Sequence, residues 1–169
     1  VLICDETPIQ NRFYHPKCLH ISEDTIRDSL IEILADTMTL IAKKWARPAI
    51  SLTGGCDSKT TLACAKNVWD KYVFFSYDSQ ENEKPDMEAA DTICKALNLN
   101  LIKYHVPYSD NCFENIEHIR AVLLWNGGNI RYNNANDVRK RAFLDNVNDF
   151  DVEVKSWASE VGRSRYTKH

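Results

Sequence analysis

Apolar residues recur at helical spacing from Ile26 to Ile41, and the pattern predicts an amphipathic helix. Its stripe contains Ile26, Leu30, Ile33, Leu34, Thr37, Leu40 and Ile41, a face expected to pack against a core. Ser22 suits the N-cap, while Glu23 and Asp24 in the first turn and Lys43 and Lys44 in the last complement the helix dipole. Pro48 enforces a stop. Residues 49–52 then form a short apolar run suited to a buried strand.

The alternation continues beyond that strand. Residues 60–69 predict a helix packed through Leu62, Ala65 and Trp69, and the aromatic, β-branched residues 72–77 predict a second strand. An acidic polar connection, residues 78–84, leads to Pro85 at the start of another helix, with Ala89, Ala90, Ile93, Cys94 and Leu97 facing inward. Asn98 suits a left-handed turn after that helix, and residues 101–106 predict a third strand ended by Pro107. Strand, helix, strand, helix, strand in this order implies an α/β fold: an open, mostly parallel sheet with helices on both faces. Further on, residues 113–125 and 138–147 carry helical patterns, residues 126–136 break them, and residues 152–157 alternate as a late strand. Residues 1–20, punctuated by Pro8 and Pro16, read as an irregular lead-in or linker remnant; residues 21–169 read as one domain or a truncated part of one.

Composition narrows the class without deciding it. The 169 residues are enough for one domain with a substantial core. With 21 basic and 24 acidic residues and a net charge of −3, the balance argues against a protein that coats nucleic acid. No apolar run has the length of a membrane span. The six cysteines lack close C-x-x-C spacing, and Cys64 and Cys94 fall on apolar helical faces, which favours a reducing, cytoplasmic setting. Cys56 lies within the glycine-rich turn, where filling space beneath the loop is its expected role. The five histidines form no convincing metal set; His105, near a strand end, either faces a ligand or caps the sheet edge.

The candidate chemistry lies in Thr53-Gly54-Gly55-Cys56-Asp57-Ser58, between a predicted strand and a predicted helix. Such a turn directs backbone N–H groups at an anion, and Gly54 and Gly55 permit close approach. Ser58 adds a hydroxyl, and Lys59 offers a positive charge to the anion or to solvent. Asp57 beside phosphate makes sense when a magnesium ion bridges carboxylate and phosphate oxygens. The spacing is neither G-x-x-x-x-G-K nor G-x-G-x-x-G. Ser76 and Asp78, at or just beyond a strand terminus, occupy positions where sheet ligands bind.

Ser51-Leu52-Thr53-Gly54-Gly55-Cys56-Asp57-Ser58 resembles the S-x-G-G-x-D-S signature of the N-type ATP pyrophosphatases, the PP-loop family. It most resembles the asparagine-synthetase branch, where S-L-T-G-G-x-D-S is a familiar form. Phe75-Ser76-Tyr77 resembles the end of the second strand, where backbone and side-chain groups surround adenine and ribose. Ala96-Leu97-Asn98-Leu99 resembles the family's A-x-x-L-G-like helix end. Ser159-Glu160-Val161-Gly162-Arg163 resembles a later G-E-x-x-R region, with serine in place of the glycine. Asn11-Arg12-Phe13-Tyr14-His15-Pro16 resembles the phrase that joins the synthetase domain to a glutaminase domain.

The resemblance implies an adenine-nucleotide-alpha-hydrolase-like fold, ATP and Mg2+ as cofactors, and activation of a carboxylate as an acyl-adenylate with release of pyrophosphate. It places nucleotide contacts on Ser51, Leu52, Thr53, Gly54, Gly55, Cys56, Asp57, Ser58, Phe75, Ser76 and Tyr77, with Asp57 also positioning the metal. Asp57, Lys59, Glu160 and Arg163 become the candidate catalytic groups, and Arg165 a supplementary phosphate contact. The implied partners are a small-molecule or peptide carboxylate and a separate glutaminase domain or other ammonia source. An ATP-dependent tRNA-modifying enzyme and a nucleotide-binding fragment without turnover remain the alternatives.

Overall fold

The computed structural model describes residues 21–78, 83–106 and 142–155, the backbone of 2–3 and 8–9, and Arg120, Leu124 and Lys140. Most of the helix expected over 113–125, the break expected over 126–136 and the start of the helix expected over 138–147, together with Glu160, Arg163 and Arg165, lie outside the described residues.

Within the lead-in, β1 (Leu2–Ile3) and β2 (Pro8–Ile9) pair antiparallel, so this stretch is not wholly irregular. Helix α1 (Glu23–Lys44) begins as expected: Ser22 Oγ accepts from the Thr25 N–H at 3.2 Å. Trp45 ends it by donating its N–H to Ile41 O. The expected burial of its stripe is not observed. Ile26, Leu30, Ile33 and Leu40 are 51–64% exposed, and only Met38 is buried. Dimensions explain the difference. A helix of 22 residues is about 33 Å long, whereas the six residues of the longest strand span about 20 Å. Only the C-terminal part of α1 lies over the sheet, through Met38, Ile41 and Ala42.

Strand β3 (Pro48–Ser51) leads into α2 (Cys56–Cys64), a 3-10 turn at Lys66–Lys71, and β4 (Val73–Asp78). The single helix expected over residues 60–69 is therefore two pieces, with its start moved back into the glycine-rich loop. Trp69 accounts for the break: its indole N–H donates to Leu62 O at 2.8 Å, a carbonyl that a continuing α-helix would give to Lys66. Helix α3 (Lys84–Ala96) follows, with Pro85 in its first turn. Ala90 and Cys94 are buried as expected, but Met87 takes the place assigned to Leu97. Leu97 is the C-cap, where the chain turns away, and Asn98 adopts the left-handed conformation with φ 55°.

Strand β5 (Leu101–His105) pairs with β4, and β6 (Val152–Val154) pairs with the other side of β3. All the pairs in this sheet are parallel, in the order β5-β4-β3-β6. Arg47 anchors the late strand. Its guanidinium lies 2.9 Å from Asp151 Oδ1, its N–H donates to Asp151 Oδ2, and its carbonyl accepts from the Asp151 N–H.

Alternation divides the core into two layers. Ile50, Leu52 and Phe74 pack with Met38, Leu62 and Cys94 from α1, α2 and α3. Ala49, Phe75 and Tyr104 face Leu144, with Phe143 and Phe150 packed alongside; residues 142–145 are helical. The sheet is thus covered on both faces, the α/β architecture its residue pattern predicts.

Buried tyrosines give the fold an alkaline limit. Tyr72 donates its hydroxyl to Met38 O at 2.7 Å, and burial pushes its pKa up to about 12. Tyr104 donates to Asp149, and burial followed by that carboxylate raises its pKa as well. Because the folded state retains these protons beyond the unfolded pKa of about 10, their contribution is complete below that pH and is lost as pH rises towards 12. Urea titrations from pH 9 to 12 are expected to show falling stability. The fall should be shallower in Tyr72→Phe; an identical slope would reject the assignment.

Candidate functional site

The glycine-rich loop emerges from the carboxyl end of β3. From this strand the chain builds β4 and β5 to one side, while β6 lies on the other. The direction of sheet growth therefore reverses at β3, and a parallel α/β sheet opens its ligand crevice where this occurs. Helix α2 starts within the loop, with Gly55 as its N-cap, so its first amides and positive dipole end face the crevice.

Side chains fix the shape of this turn. Ser58 is buried, and its Oγ accepts from the Thr53 N–H at 3.2 Å. The same hydroxyl is 3.2 Å from Thr53 O and 3.3 Å from Gly55 O, either of which can receive its proton. Thr53 Oγ1 accepts from the Gly55 N–H at 3.1 Å. Neither hydroxyl was read from the sequence as a strut. Hydroxyl-to-backbone bonds two to five residues apart are the local signal that would have suggested it.

Gly54 lies close against α3. A Cβ at this position would lie 3.0 Å from Asp86 Oδ1 and 3.3 Å from Ala89 Cβ, both on α3. The Gly54 N–H donates to Asp86 Oδ1 at 3.0 Å. Asp86 is the principal site residue that the sequence left unnoticed, because it is 32 positions away.

The other candidates separate by environment. Ser51 ends β3 and Leu52 is buried in the core, while Thr53, Gly54 and Gly55 form the turn and Cys56, Asp57 and Ser58 open α2, with Asp57 half-buried and Lys59 exposed. Cys56 is exposed, which corrects the expectation that it fills space below the loop; as the first residue of α2 it follows the N-cap, outside the core. Phe75 is fully buried in the second core layer, and its carbonyl accepts from Leu52 N–H at 2.8 Å. Ser76 is 1% exposed, and its Oγ has no partner among the described residues. Tyr77 is half-buried, with Lys140 Nζ 5.5 Å from its ring centroid.

At the sheet edge, His105 Nδ1 lies 2.7 Å from the buried Asp78 carboxylate. The two line a cleft of about 460 Å³ with Lys84, Glu88, Asp91 and Lys103. Hydrogen bonds from Lys103 and Lys95 hold the Asp91 carboxyl below its ordinary range.

No protein-family model matches the chain, and no curated protein matches it. Among solved structures, it is similar to an NH3-dependent NAD synthetase from Campylobacter jejuni subsp. jejuni NCTC 11168 in complex with the nitrate ion, at 18% identity and a TM-score of 0.45. The match covers 70% of this chain and 48% of that one, so it spans about half the length of that structure. Similarity of this degree does not transfer a role to any residue.

Among the described residues, no group of three or more His, Cys, Asp or Glu side chains could cage a metal, and no helix is long and apolar enough to cross a membrane.

Proposed function

We propose that this chain binds ATP and supplies the nucleotide site of an AMP-forming amide ligase or amidotransferase. The observation that carries the reading is the Thr53–Ser58 loop: an S-L-T-G-G-C-D-S sequence at the start of α2, where the growth of a parallel sheet reverses.

Amides at Gly54, Gly55 and the first turn of α2 would receive the β- and γ-phosphates, the portion that leaves as pyrophosphate. Ser58 keeps those amides convergent through its bonds to Thr53 and Gly55. The buried Ser76 hydroxyl, next to the crevice at the end of β4, is our candidate for a polar contact with the nucleoside.

Asp57 suits a magnesium ion carried in by the nucleotide. Magnesium commonly keeps its waters and takes one or two carboxylates together with phosphate oxygens, so a three-residue protein cage is unnecessary. Bound there, it would offset charge as the bond between the α and β phosphates breaks. Lys59, Glu160 and Arg163 retain their proposed catalytic roles, and a carboxylate acceptor with ammonia from another domain remains the proposed chemistry.

Incubation with ATP, magnesium, ammonia and a panel of carboxylic acids should release pyrophosphate and AMP in equal amounts. ADP and orthophosphate as the only products would overturn the assignment. A narrower expectation concerns Asp57→Ala: magnesium should no longer strengthen ATP binding, with affinity at saturating magnesium falling at least about tenfold, or about 1.4 kcal/mol. Calorimetry with and without magnesium checks this, and an unchanged magnesium dependence would remove Asp57 from the site.

A further inference from the structure

The carboxylate of Asp86 lies where an anion-binding loop would be expected to meet its ligand. Its Oδ1 accepts the Gly54 N–H at 3.0 Å, one of the amides that a phosphate oxygen would need. A phosphate oxygen and this carboxylate oxygen compete for the same N–H.

Packing holds Asp86 against the turn. Both close contacts of a Cβ built at Gly54 are to α3, at Asp86 Oδ1 and Ala89 Cβ, so the first two turns of this helix lie directly against the glycine. An acid in a first turn usually serves the amides of its own helix. Here the α3 N-cap, Glu83, makes no side-chain capping bond, and Asp86 reaches instead to a loop 32 positions earlier.

A free polyphosphate entering the turn would meet a carboxylate at hydrogen-bonding distance from its own donor. Asp86 is exposed, yet like charges at hydrogen-bonding distance repel even across water. A polyphosphate carrying a divalent cation would meet the same carboxylate with less of that penalty, because the cation offsets much of the anion's charge. Asp57 in the same turn adds a second negative charge.

We propose that Asp86 is a specificity-determining residue that makes this loop select metal-complexed polyphosphates over bare anions. The inference rests on the phosphate-loop reading above and adds to it a residue outside the motif.

The test measures pyrophosphate binding by calorimetry, in excess EDTA and in excess magnesium, for the unmodified chain, Asp86→Asn and Asp86→Ala. Asparagine retains an acceptor for the Gly54 N–H and removes the charge; alanine removes both. The unmodified chain should bind magnesium pyrophosphate at least about tenfold more tightly than bare pyrophosphate. Asp86→Asn should strengthen binding of the bare anion about tenfold, bringing the two forms close to equality. Faster hydrogen exchange at the Gly54 amide in Asp86→Ala, without ligand, would verify the contact.

Bare-anion affinity unchanged in both variants would overturn the inference while leaving the phosphate loop standing. Loss of magnesium pyrophosphate binding with no gain for the bare anion would also overturn it, because Asp86 would then be a metal ligand. If no form of the chain bound pyrophosphate in either condition, with urea midpoints showing all three folded, the phosphate-loop reading itself would fail.

Discussion

Replacing Phe75 with alanine is expected to destabilise the fold by about 3–5 kcal/mol. The ring is fully buried in the centre of the sheet. It stacks on Phe150 at 4.9 Å between centroids, meets Tyr104 at 5.8 Å and lies 6.3 Å from Tyr77. Deletion would remove apolar burial, leave a cavity and detach three aromatic neighbours together. A loss of this size is a large fraction of the 5–15 kcal/mol that usually holds a domain together. Urea unfolding followed by tyrosine and tryptophan fluorescence would measure it. A change below about 1 kcal/mol would mean that the second layer is not a tightly packed core.

Substitution of Gly54 by valine should reduce affinity for magnesium pyrophosphate about 100-fold, with the rest of the fold retained. The new Cβ would begin 3.0 Å from Asp86 Oδ1 and 3.3 Å from Ala89 Cβ, and branching adds two methyl groups in the same space. Asp86 can swing aside, but the added bulk against Ala89 Cβ is expected to push the turn from α3 and misplace the amides of Gly54 and Gly55. Two weakened charge-assisted hydrogen bonds amount to about 3 kcal/mol, which corresponds to about 100-fold. Calorimetry with a parallel urea titration separates lost binding from lost folding. Affinity within threefold of the unmodified chain would show that these amides do not hold the ligand.

The two substitutions show unequal legibility. The family resemblance places a nucleotide contact on Phe75-Ser76-Tyr77, the end of the second strand. The structure places its ring in the core and leaves its carbonyl to position Leu52, immediately before the loop. Strand alternation reports that Phe75 and Ser76 face opposite ways; it does not report which face adjoins the crevice. Gly54 was legible as part of a phosphate-type turn, but the reason for glycine at that position was not. The obstructing atoms belong to α3.

Helix α1 illustrates the same boundary. Its N-cap, charged ends and apolar spacing are local properties, and each is realised. The expectation that its stripe would be buried needed knowledge of what lies alongside. The core takes up only the C-terminal part of this long helix, and Ile26, Leu30 and Ile33 stay exposed.

The glycine-rich turn, the alternation of strands and helices and the left-handed Asn98 were determined by the sequence itself, because each depends on residues a few positions apart. Tertiary structure alone decided the strand order, which sets the loop at the reversal point through β6 and the Arg47–Asp151 anchor, 104 positions apart. It also brought Asp86 to the Gly54 amide. Dihedral preference and capping act within a turn or two of the chain, whereas a carboxylate meets a distant N–H only after the sheet and its covering helices have packed.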